Sequence, residues 1–301
     1  MPEISVCILN WNTREQLRRC LQSLREHAAG LDVEVIVVDN ASADASAQMV
    51  REEFPEVQLI ANDQNVYYAA GNNQALERAQ GEFVLLLNPD IVVTPGAIEE
   101  LKACLLRHPR AGAVAPRLVY PDGRLQASCR TFPTPDVVFY EALGLSRLFP
   151  RSRRFGKYRM TWWAYDDERQ VDQPMASALM LRRQALEEVG LFDEQFPMFF
   201  NDVDLCKRLK DAGWEIWFTP AATMIHEHGA ATGQVAVRMA LESYRSQLRF
   251  YAKHYRGRVN ALSYWGALGL LTLGMVWRLP LAAWRQWRQR SRRRAATAFK
   301  G

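Results

Sequence analysis

The chain lacks several features that would direct it to other protein classes. Its five cysteines are odd in number and scattered, without a C-x-x-C pair, which argues against a disulfide framework and a structural zinc site. They are expected to be small buried residues of a protein in a reducing compartment. No basic segment followed by an apolar one opens the sequence, so no signal peptide is predicted. The body of the chain has no basic stripe with interleaved aromatics, and nucleic acid is therefore not an expected partner.

What the chain does have is an alternation of apolar runs and helical patterns through its first half. Strands are predicted at residues 4–9, 33–38, 57–61 and 82–87, and helices at 14–27, 45–53, 72–79 and 95–107. The helix at 72–79 is expected to end with Gly81 at its C′ position. This rhythm predicts an α/β fold with a mostly parallel sheet, flanking helices and right-handed crossovers.

The second half of the chain is less regular. Between residues 116 and 165, prolines, arginines and aromatic residues crowd together, and we interpret this stretch as a substrate-facing insertion. Strands are predicted again at 177–181 and 216–219, with helices at 183–188 and 203–212. After Gly233 the pattern is helical as far as Tyr255.

Three polar sites lie at the ends of apolar segments. They are Asn88-Pro89-Asp90, Asn201-Asp202-Val203-Asp204 and His226-Glu227-His228. In an open α/β sheet, ligands bind beyond the carboxyl ends of the strands. Carboxylates and an imidazole at that edge can hold a divalent cation and leave one carboxylate as a general base. Such a combination suits transfer of a group from a charged phosphate leaving group.

Each candidate residue also has a plain structural interpretation. Asp39, at the end of the second strand, can accept hydrogen bonds from the imide edge of a pyrimidine base, or it can cap a turn. Asp90 can bind Mg²⁺ or Mn²⁺, or cap the following helix. Asp202 and Asp204 suit a helix start, but the aromatic residues before them would remove solvent and raise the pKa of a base. His226 is a ligand candidate because it lies beside the predicted cation site.

Taken together, these segments resemble the inverting glycosyltransferases of family 2, which have the GT-A fold. The resemblance extends from Ile4 to about Gly233 and favours the rhamnosyltransferase-like branch. The segments that carry it are, in order, Val6–Asn12, Val37–Ser42, Asn65–Asn73, Leu86–Asp90, Gly190–Glu194 with Phe199–Leu205, and His226 with Gly229 and Thr232. The helix start near Asn65–Asn73 is expected to direct backbone N–H groups at a ligand.

The resemblance implies a role for each matching residue. Asp202 is the expected base, and Asp90 with His226 is expected to hold Mg²⁺ or Mn²⁺. Asp204, Trp162 and Trp163 are expected to contact or support the acceptor. The residues expected to bind the nucleotide-sugar are Asn10, Asn12, Asp39, Asn65, Gly71, Asn72, Asn88 and Asp90. The expected donor is dTDP-rhamnose, or else a UDP-sugar, and the expected acceptor is a hydroxyl of a lipid-linked or cell-surface glycan in O-antigen-type polysaccharide assembly.

Three residues depart from the family pattern. Tyr67 and Ala176 stand where glycine is frequent, and Asn201 replaces a glutamate. The change at position 67 is expected to alter how closely the backbone approaches the donor. None of the three removes an essential acid, and the departure at Asn201 leaves Asp202 as the candidate base.

Two alternatives from other classes are a sugar nucleotidyltransferase and an inactive, membrane-associated scaffold with a GT-A domain. A nucleotidyltransferase should carry a glycine-rich phosphate loop with a basic residue after its first strand, whereas this chain has Asn10-Trp11-Asn12-Thr13 there. The retained Asp90, Asp202 and His226 count against a scaffold.

The predicted organisation is a GT-A domain at residues 1–233, with a nucleotide-sugar half at 1–115 and an acceptor half at 116–233. A helical extension follows at 234–301. Residues 261–277 contain no charged side chain, and seven arginines without an acid lie between Arg278 and Arg294. Because tryptophan and arginine together suit a headgroup interface, we expect a helix lying in the cytoplasmic leaflet of the inner or plasma membrane. A spanning helix and a hydrophobic cap on the catalytic domain are the alternatives.

Overall fold

The computed structural model describes residues 1–227 and 236–276. The strands are β1 (Ile4–Asn10), β2 (Val33–Asp39), β3 (Gln58–Ala61), β4 (Phe83–Leu87), β5 (Ile91–Val93), β6 (Ala111–Val119), β7 (Leu125–Gln126), β8 (Cys129–Arg130), β9 (Arg169–Gln170), β10 (Gln173–Pro174), β11 (Ala178–Arg182) and β12 (Glu215–His226). The helices are α1 (Arg14–His27), α2 (Ser46–Glu53), α3 (Tyr67–Arg78), α4 (Ala97–Arg107), α5 (Pro135–Ala142), α6 (Leu145–Leu148), α7 (Arg183–Val189), α8 (Asn201–Asp211) and α9 (Ala236–His254). Residues 261–276 form a further helical segment.

The first half of the chain folds as its pattern predicts. Strands β3, β2, β1 and β4 lie side by side and run parallel. Every residue of β4 and all but one residue of β1 are buried, as expected for central strands covered on both faces. Their carboxyl ends meet at one edge of the sheet, where Asn10 and Asp39 are register partners.

The complete sheet is mixed, which differs from the mostly parallel sheet predicted. Its main path follows the order β3-β2-β1-β4-β11-β6-β12-β5, and β11 runs antiparallel to both of its neighbours. Ala178 pairs with Leu87, so the start of β11 lies beside the end of β4. The antiparallel direction follows from the long insertion before β11, which brings the chain back to the sheet from its carboxyl edge.

The sequence pattern misses one strand and predicts another too short. The missed strand is β6, which runs through Pro116 as far as Val119 and so crosses residue 115, the predicted division between the two halves of the domain. Strand β12 continues through Pro220 to His226, and its register with β6 shifts between Thr219 and Thr223. A bulge of this kind tolerates a proline within a strand, and the pattern therefore hid the strand's full length.

Helices pack on both faces of the sheet. Helices α1 and α4 cover one face through residues such as Leu21 and Leu101, while α3, α8 and α9 cover the other. Gly81 lies past the end of α3, and its φ is not among the positive values of the chain, so the predicted C′ role is wrong. A Cβ at Gly81 would lie 2.6 Å from the backbone nitrogen of Ser5. Glycine is needed there because the chain passes against β1.

The described part of the C-terminal extension packs on the catalytic body. Phe250 and Tyr251 of α9 are fully buried, and the Tyr251 hydroxyl donates to the carbonyl of Pro133. Among residues 1–227 and 236–276, no helix combines the length and apolar character needed to cross a membrane. Gly229, Thr232 and the arginines and tryptophans from residue 277 onward lie outside the described residues.

Candidate active site

The centre of the site is the two-residue segment Ala176-Ser177, which leads into β11. The carbonyl of Ser177 accepts the N–H of Asn88 at 2.8 Å, where β4 ends. The carbonyl of Ala176 accepts the hydroxyl of Tyr68 at 3.4 Å, and the backbone of Ala176 bonds to the Asp202 carboxylate. One short segment thus joins the end of β4, the start of α3 and the start of α8. Two of the three predicted polar sites are brought together by it.

Asp90 and His226 form a facing pair, as their predicted role as metal ligands requires. The two residues follow β4 and end β12, and Oδ1 of Asp90 lies 3.3 Å from Nε2 of His226. The imidazole is 2% exposed, and its Nδ1 lies 2.7 Å from Oε1 of Gln126. The backbone N–H of Glu227 also donates to the carbonyl of Asp90, which ties the two chain segments together.

This pair fits a divalent cation. Oδ1 of Asp90 is buried and has no hydrogen-bond partner. Oε1 of Gln126 accepts a hydrogen bond from Nδ1 of His226, so the ring presents Nε2 to Asp90. A divalent cation would bind between Oδ1 of Asp90 and this nitrogen, and Gln126 fixes the ring as outer-sphere partners of metal-bound histidines do. Carboxylate oxygen and imidazole nitrogen together suit Mg²⁺ or Mn²⁺.

Asp202, the predicted base, lies in the first turn of α8. Its side chain is half-buried, and desolvation raises the pKa of this carboxyl above its ordinary value, although backbone N–H groups of Val203 and Ala176 act in the opposite direction. The preceding Asn201 accepts the N–H of Asp202 at 2.8 Å and donates to the carbonyl of Phe196. The departure at Asn201 therefore holds the helix start in place.

Tyr68 lies close to both carboxylates. Burial raises the pKa of its phenol, and the charges of Asp202 and Asp90 raise it further. The neutral hydroxyl donates to the carbonyl of Ala176 at 3.4 Å. Sequence reasoning did not single out Tyr68, since a tyrosine at the start of a helix carries no signal of its own.

Asn10, Asn12 and Asp39 form a polar network at the ends of β1 and β2. Asn10 donates to Oδ1 of Asp39 at 2.7 Å, and the N–H of Ser42 donates to Oδ2 at 3.0 Å. Asn12, in a left-handed conformation, accepts the N–H of Ala43 at 2.7 Å. The network holds the carboxylate rigid at the predicted base-binding edge, while each oxygen keeps lone-pair capacity for a ligand.

Backbone N–H groups at the start of the segment 65–73 already have hydrogen-bond acceptors within the protein, which was not expected. The N–H groups of Tyr68 and Ala69 both donate to the carbonyl of Pro197, and the N–H of Tyr67 donates to Asn65. The prediction that backbone donors at this helix start face a ligand is therefore wrong for these three groups. Tyr67 adopts φ +68°, so the backbone keeps a conformation that glycine favours.

Gly71 and Asn72 lie inside α3 and not in a loop. A Cβ at Gly71 would come within 2.5 Å of a Leu9 methyl group, so this glycine serves close packing of α3 on β1. The side chain of Asn72 is buried and donates to the carbonyl of Tyr68 one turn earlier. Both residues serve the packing and hydrogen bonding of α3, and their predicted contact with the nucleotide-sugar stays a prediction.

Asp204 supports the site without reaching an acceptor. It is fully buried and accepts from Arg208, Lys253 and His254 at 2.7–2.8 Å. Burial alone would raise the pKa of Asp204, but the bonds from His254, Lys253 and Arg208 bring it to about 2. Its carboxylate therefore ties α8 to α9. Two roles were predicted for Asp204, contact with the acceptor and support of the site, and this buried position suits support.

The two adjacent tryptophans differ in their surroundings. Trp163 stacks on Tyr165 at 4.0 Å between ring centroids and is 7% exposed, so it belongs to the core. Trp162 is half-buried, with the guanidinium groups of Arg153 and Arg169 over its ring. Its indole nitrogen is buried without a hydrogen-bond partner. The acceptor role of Trp162 stays a prediction, and the burial of Trp163 suits the supporting role that was the alternative to contact.

The sequence matches the family model described as glycosyl transferase family 2 over residues 5–189. The chain belongs to glycosyltransferase family 2. It is 30% identical over 281 residues to the N-acetylglucosaminyl-diphospho-decaprenol L-rhamnosyltransferase of Mycobacterium tuberculosis, covering 90% of this chain and 91% of that protein. It is 29% identical over 233 residues to the O-antigen biosynthesis protein RfbC of Myxococcus xanthus, covering 76% of this chain and 18% of that protein.

The fold of this family 2 glycosyltransferase also matches a solved structure. The mannosyltransferase PcManGT from Pyrobaculum calidifontis, in complex with GDP-Man and Mn²⁺, aligns with a TM-score of 0.57 and 20% identity. The alignment covers 94% of this chain and 73% of the mannosyltransferase. This likeness establishes the GT-A fold, and family membership establishes glycosyl transfer from a nucleotide-sugar.

Two supporting residues of this glycosyltransferase were not found by sequence reasoning. Gln126 reaches His226 from a two-residue strand inside the irregular region, where no local pattern marks it. Asn73 exchanges hydrogen bonds with the backbone of Phe192 and also donates to Glu194. The signal for Asn73 is its place in the Asn65–Asn73 motif, directly after Asn72.

Proposed function

We propose that this glycosyltransferase is an inverting rhamnosyltransferase of polysaccharide assembly. Its donor would be dTDP-rhamnose, or else a UDP-sugar, and its acceptor a hydroxyl of a lipid-linked or cell-surface glycan. The Asn88-Pro89-Asp90 sequence and the similarity to a rhamnosyltransferase along nearly the whole chain support the donor. The lipid-linked group in the name of that relative supports a lipid-linked acceptor, and hence activity at the cytoplasmic face of a membrane.

The observation that carries the proposal is the half-buried Asp202, whose carboxylate meets the backbone of Ala176, while the next residue, Ser177, bonds to Asn88 at the end of β4. In the proposed reaction Asp202 accepts the proton of the acceptor hydroxyl. The freed oxygen forms a bond to the anomeric carbon as the bond from that carbon to the donor diphosphate breaks. A single displacement inverts the anomeric configuration. The raised pKa favours Asp202 as the proton acceptor, because a carboxylate with little solvation is a stronger base.

Asp90 and His226 would hold Mg²⁺ or Mn²⁺, which would offset the negative charge of the diphosphate. Tyr68 remains neutral, because burial and the charges of Asp202 and Asp90 raise the pKa of its phenol. Asp39 and Asn10 would fix the nucleotide at the ends of β1 and β2. Partial burial of the site limits attack by water on the donor.

The test is a titration of the purified full chain with dTDP-rhamnose, UDP-glucose, UDP-galactose, UDP-N-acetylglucosamine and GDP-mannose, each with and without Mn²⁺. We expect metal-dependent binding of dTDP-rhamnose, weakened by Asp90→Ala and unchanged by the matched control Asp32→Ala on an exposed turn. Preferential binding of GDP-mannose or of a UDP-sugar would show that the rhamnosyl assignment is wrong. Metal-independent binding would contradict the cation site.

A further inference from the structure

Large exposed apolar side chains gather on two elements of the second half of the chain. Around α5 and α6, Phe139, Leu143, Leu148 and Phe149 are 49–69% exposed. Isolated apolar residues on a surface are ordinary, but four within eleven residues of one hairpin are not. We refer to residues 139–154, which contain these four side chains, as the insertion face.

The helical segment at 261–276 carries a second set. Leu262, Trp265, Leu273 and Val276 are all more than 60% exposed. Their spacing of three, eight and three residues places them on one side of a helix. Tyr264, Ala267 and Leu271 of the same segment pack on the core, so the exposed stripe faces away from the body.

The two elements are neighbours across one groove. A cavity of about 410 Å³ is lined by Val138 and Arg147 on one side and by Leu271 and Met275 on the other. The insertion face and the exposed stripe therefore flank the same opening. Together they offer apolar surface well beyond what a single exposed side chain provides.

The insertion face is also strongly basic. No aspartate or glutamate occurs between Ala142 and Tyr165, whereas this stretch has five arginines and a lysine. Lys157 and Arg159 pair with Asp136 and Glu141. Within the part of the chain that the structure describes, the remaining four form no ion pair with a carboxylate; they are the exposed Arg147, Arg151, Arg153 and Arg154.

We propose that the insertion face docks on an anionic lipid bilayer, with Leu148 and Phe149 entering the interface and the four unpaired arginines contacting phosphate headgroups. Apolar side chains next to arginines are the combination that binds a bilayer surface, since the apolar groups leave water and the cations attract anionic lipid. This docking site is separate from the arginine-rich segment after residue 277, on which the sequence-based membrane prediction rested.

Docking in this orientation would place the groove at the membrane. Tyr158, in the loop that follows the insertion face, also lines this groove. A lipid-linked acceptor would then enter the groove from the bilayer side. This last step rests on the proposed function, because it assumes a lipid-linked acceptor, whereas the docking itself does not.

A site-specific probe tests the docking in the full chain. All five native cysteines are buried, so an added surface cysteine can be labelled selectively with an environment-sensitive dye. With Leu148→Cys we expect roughly a twofold or greater rise in dye emission on adding phosphatidylglycerol–phosphatidylcholine vesicles, because the dye leaves water. The matched control is Leu106→Cys on α4, a leucine that is 56% exposed and does not line the groove; its dye should not respond.

A second experiment separates bilayer docking from a protein interface. Changing Leu148→Glu and Phe149→Glu together should weaken vesicle binding on the order of tenfold, since two apolar side chains no longer enter the lipid. Leu106→Glu should leave it unchanged. A dye at position 148 that responds only to protein concentration would mean that a second copy covers this face, and the proposal would be wrong. Donor binding by the same variants reports separately on the proposed function, because it needs no membrane.

Discussion

Oδ1 of Asp90 lies 3.3 Å from Nε2 of His226, and the opposite nitrogen of that imidazole is held by Gln126. The three residues come from the end of β4, the end of β12 and the two-residue strand β7. Their meeting depends on β6, which pairs with both β7 and β12. The proposed cation site is thus built on strands of the second half as much as on the Asn88-Pro89-Asp90 motif.

Gln126→Leu should weaken activation by Mn²⁺ about 10–100-fold, since loss of an outer partner of a metal-binding histidine has effects of that size. The reason is that the imidazole loses the acceptor that fixes its orientation. Glycosyl transfer measured against Mn²⁺ concentration checks this. Gln22→Leu, on the exposed side of α1, is the control and should behave as the parent chain. An unchanged Mn²⁺ requirement in Gln126→Leu would show that the imidazole is oriented by other contacts.

Asp202→Asn should abolish transfer while leaving donor binding intact. The same change should raise the melting temperature near neutral pH, because desolvation raises the pKa of Asp202 and its charge therefore opposes folding. Single-turnover assays, donor titration and thermal unfolding measure the three effects. Asp32→Asn, which is exposed, should alter none of them. Near-normal turnover in Asp202→Asn would rule out this carboxylate as the base.

The raised pKa of Asp202 also determines the acid side of the pH–rate profile. A base with a raised pKa loses its charge as the pH falls through that raised value, so kcat/KM should decline at a pH above the ordinary aspartate value of 3.8. The measurement is kcat/KM against pH at saturating metal. Since Asp204 also titrates, each point needs a check that the protein is folded. A decline that begins only below 3.8 would contradict the desolvated base.

Asp204 should make folding stability depend on acid pH. Its folded pKa of about 2 lies below the ordinary 3.8, so its contribution is complete above about pH 4 and is lost as the pH falls towards 2. The loss should amount to roughly 2 kcal/mol, at 1.36 kcal/mol for each pKa unit. Urea unfolding at pH 7 and pH 3 should show roughly half of this loss, because pH 3 lies between the folded and the ordinary pKa. In Asp204→Asn the loss should be smaller than in the parent chain. Stability at pH 7 should fall by roughly 3 kcal/mol, because Arg208, Lys253 and His254 lose the carboxylate that accepts their hydrogen bonds.

Gly81→Ala should destabilise the protein by about 3 kcal/mol or more, because its Cβ would lie under 3 Å from backbone atoms of Ile4 and Ser5 that cannot move freely. Gly30→Ala is the control: a Cβ there meets nothing within 4 Å, and its φ is not positive. The free energy of unfolding of the two variants in urea checks the prediction. Equal stabilities would mean that the start of β1 shifts without cost.

The parts of the fold that follow from the sequence are those set by local periodicity. Strands β1 to β4 and helices α1, α2 and α4 lie close to their predicted ranges, since each has its own apolar pattern. The direction of β11 and the bulge in β12 do not follow from local periodicity, because both depend on pairing with distant strands. Pro220 in particular argues against a continuous strand, because a proline inside a strand is tolerated only at a bulge. The sequence pattern therefore did not show that β12 continues past this residue.

The site was predicted to the extent that single motifs define it. Asp90, Asp202 and His226 lie at the ends of elements, as their positions in the pattern indicate. Trp162 and Trp163 are equivalent in the sequence, yet one faces arginines and the other joins the core. Which of two neighbours is buried depends on the packing of an irregular loop. The loop has no repeat from which its faces could be assigned.

The position of β11 also has a consequence for synthesis on the ribosome. Strands β1 to β4 are complete once 87 residues have been made. The second neighbour of β4, strand β11, begins only at Ala178. Until then the nascent chain presents an open, fully apolar strand edge, of the kind that promotes aggregation. Chains that stop before Arg182 should therefore depend on chaperones. The same strand that closes this edge also aligns Asn88 with Ser177, so one element protects the nascent sheet and positions the end of β4 for the site.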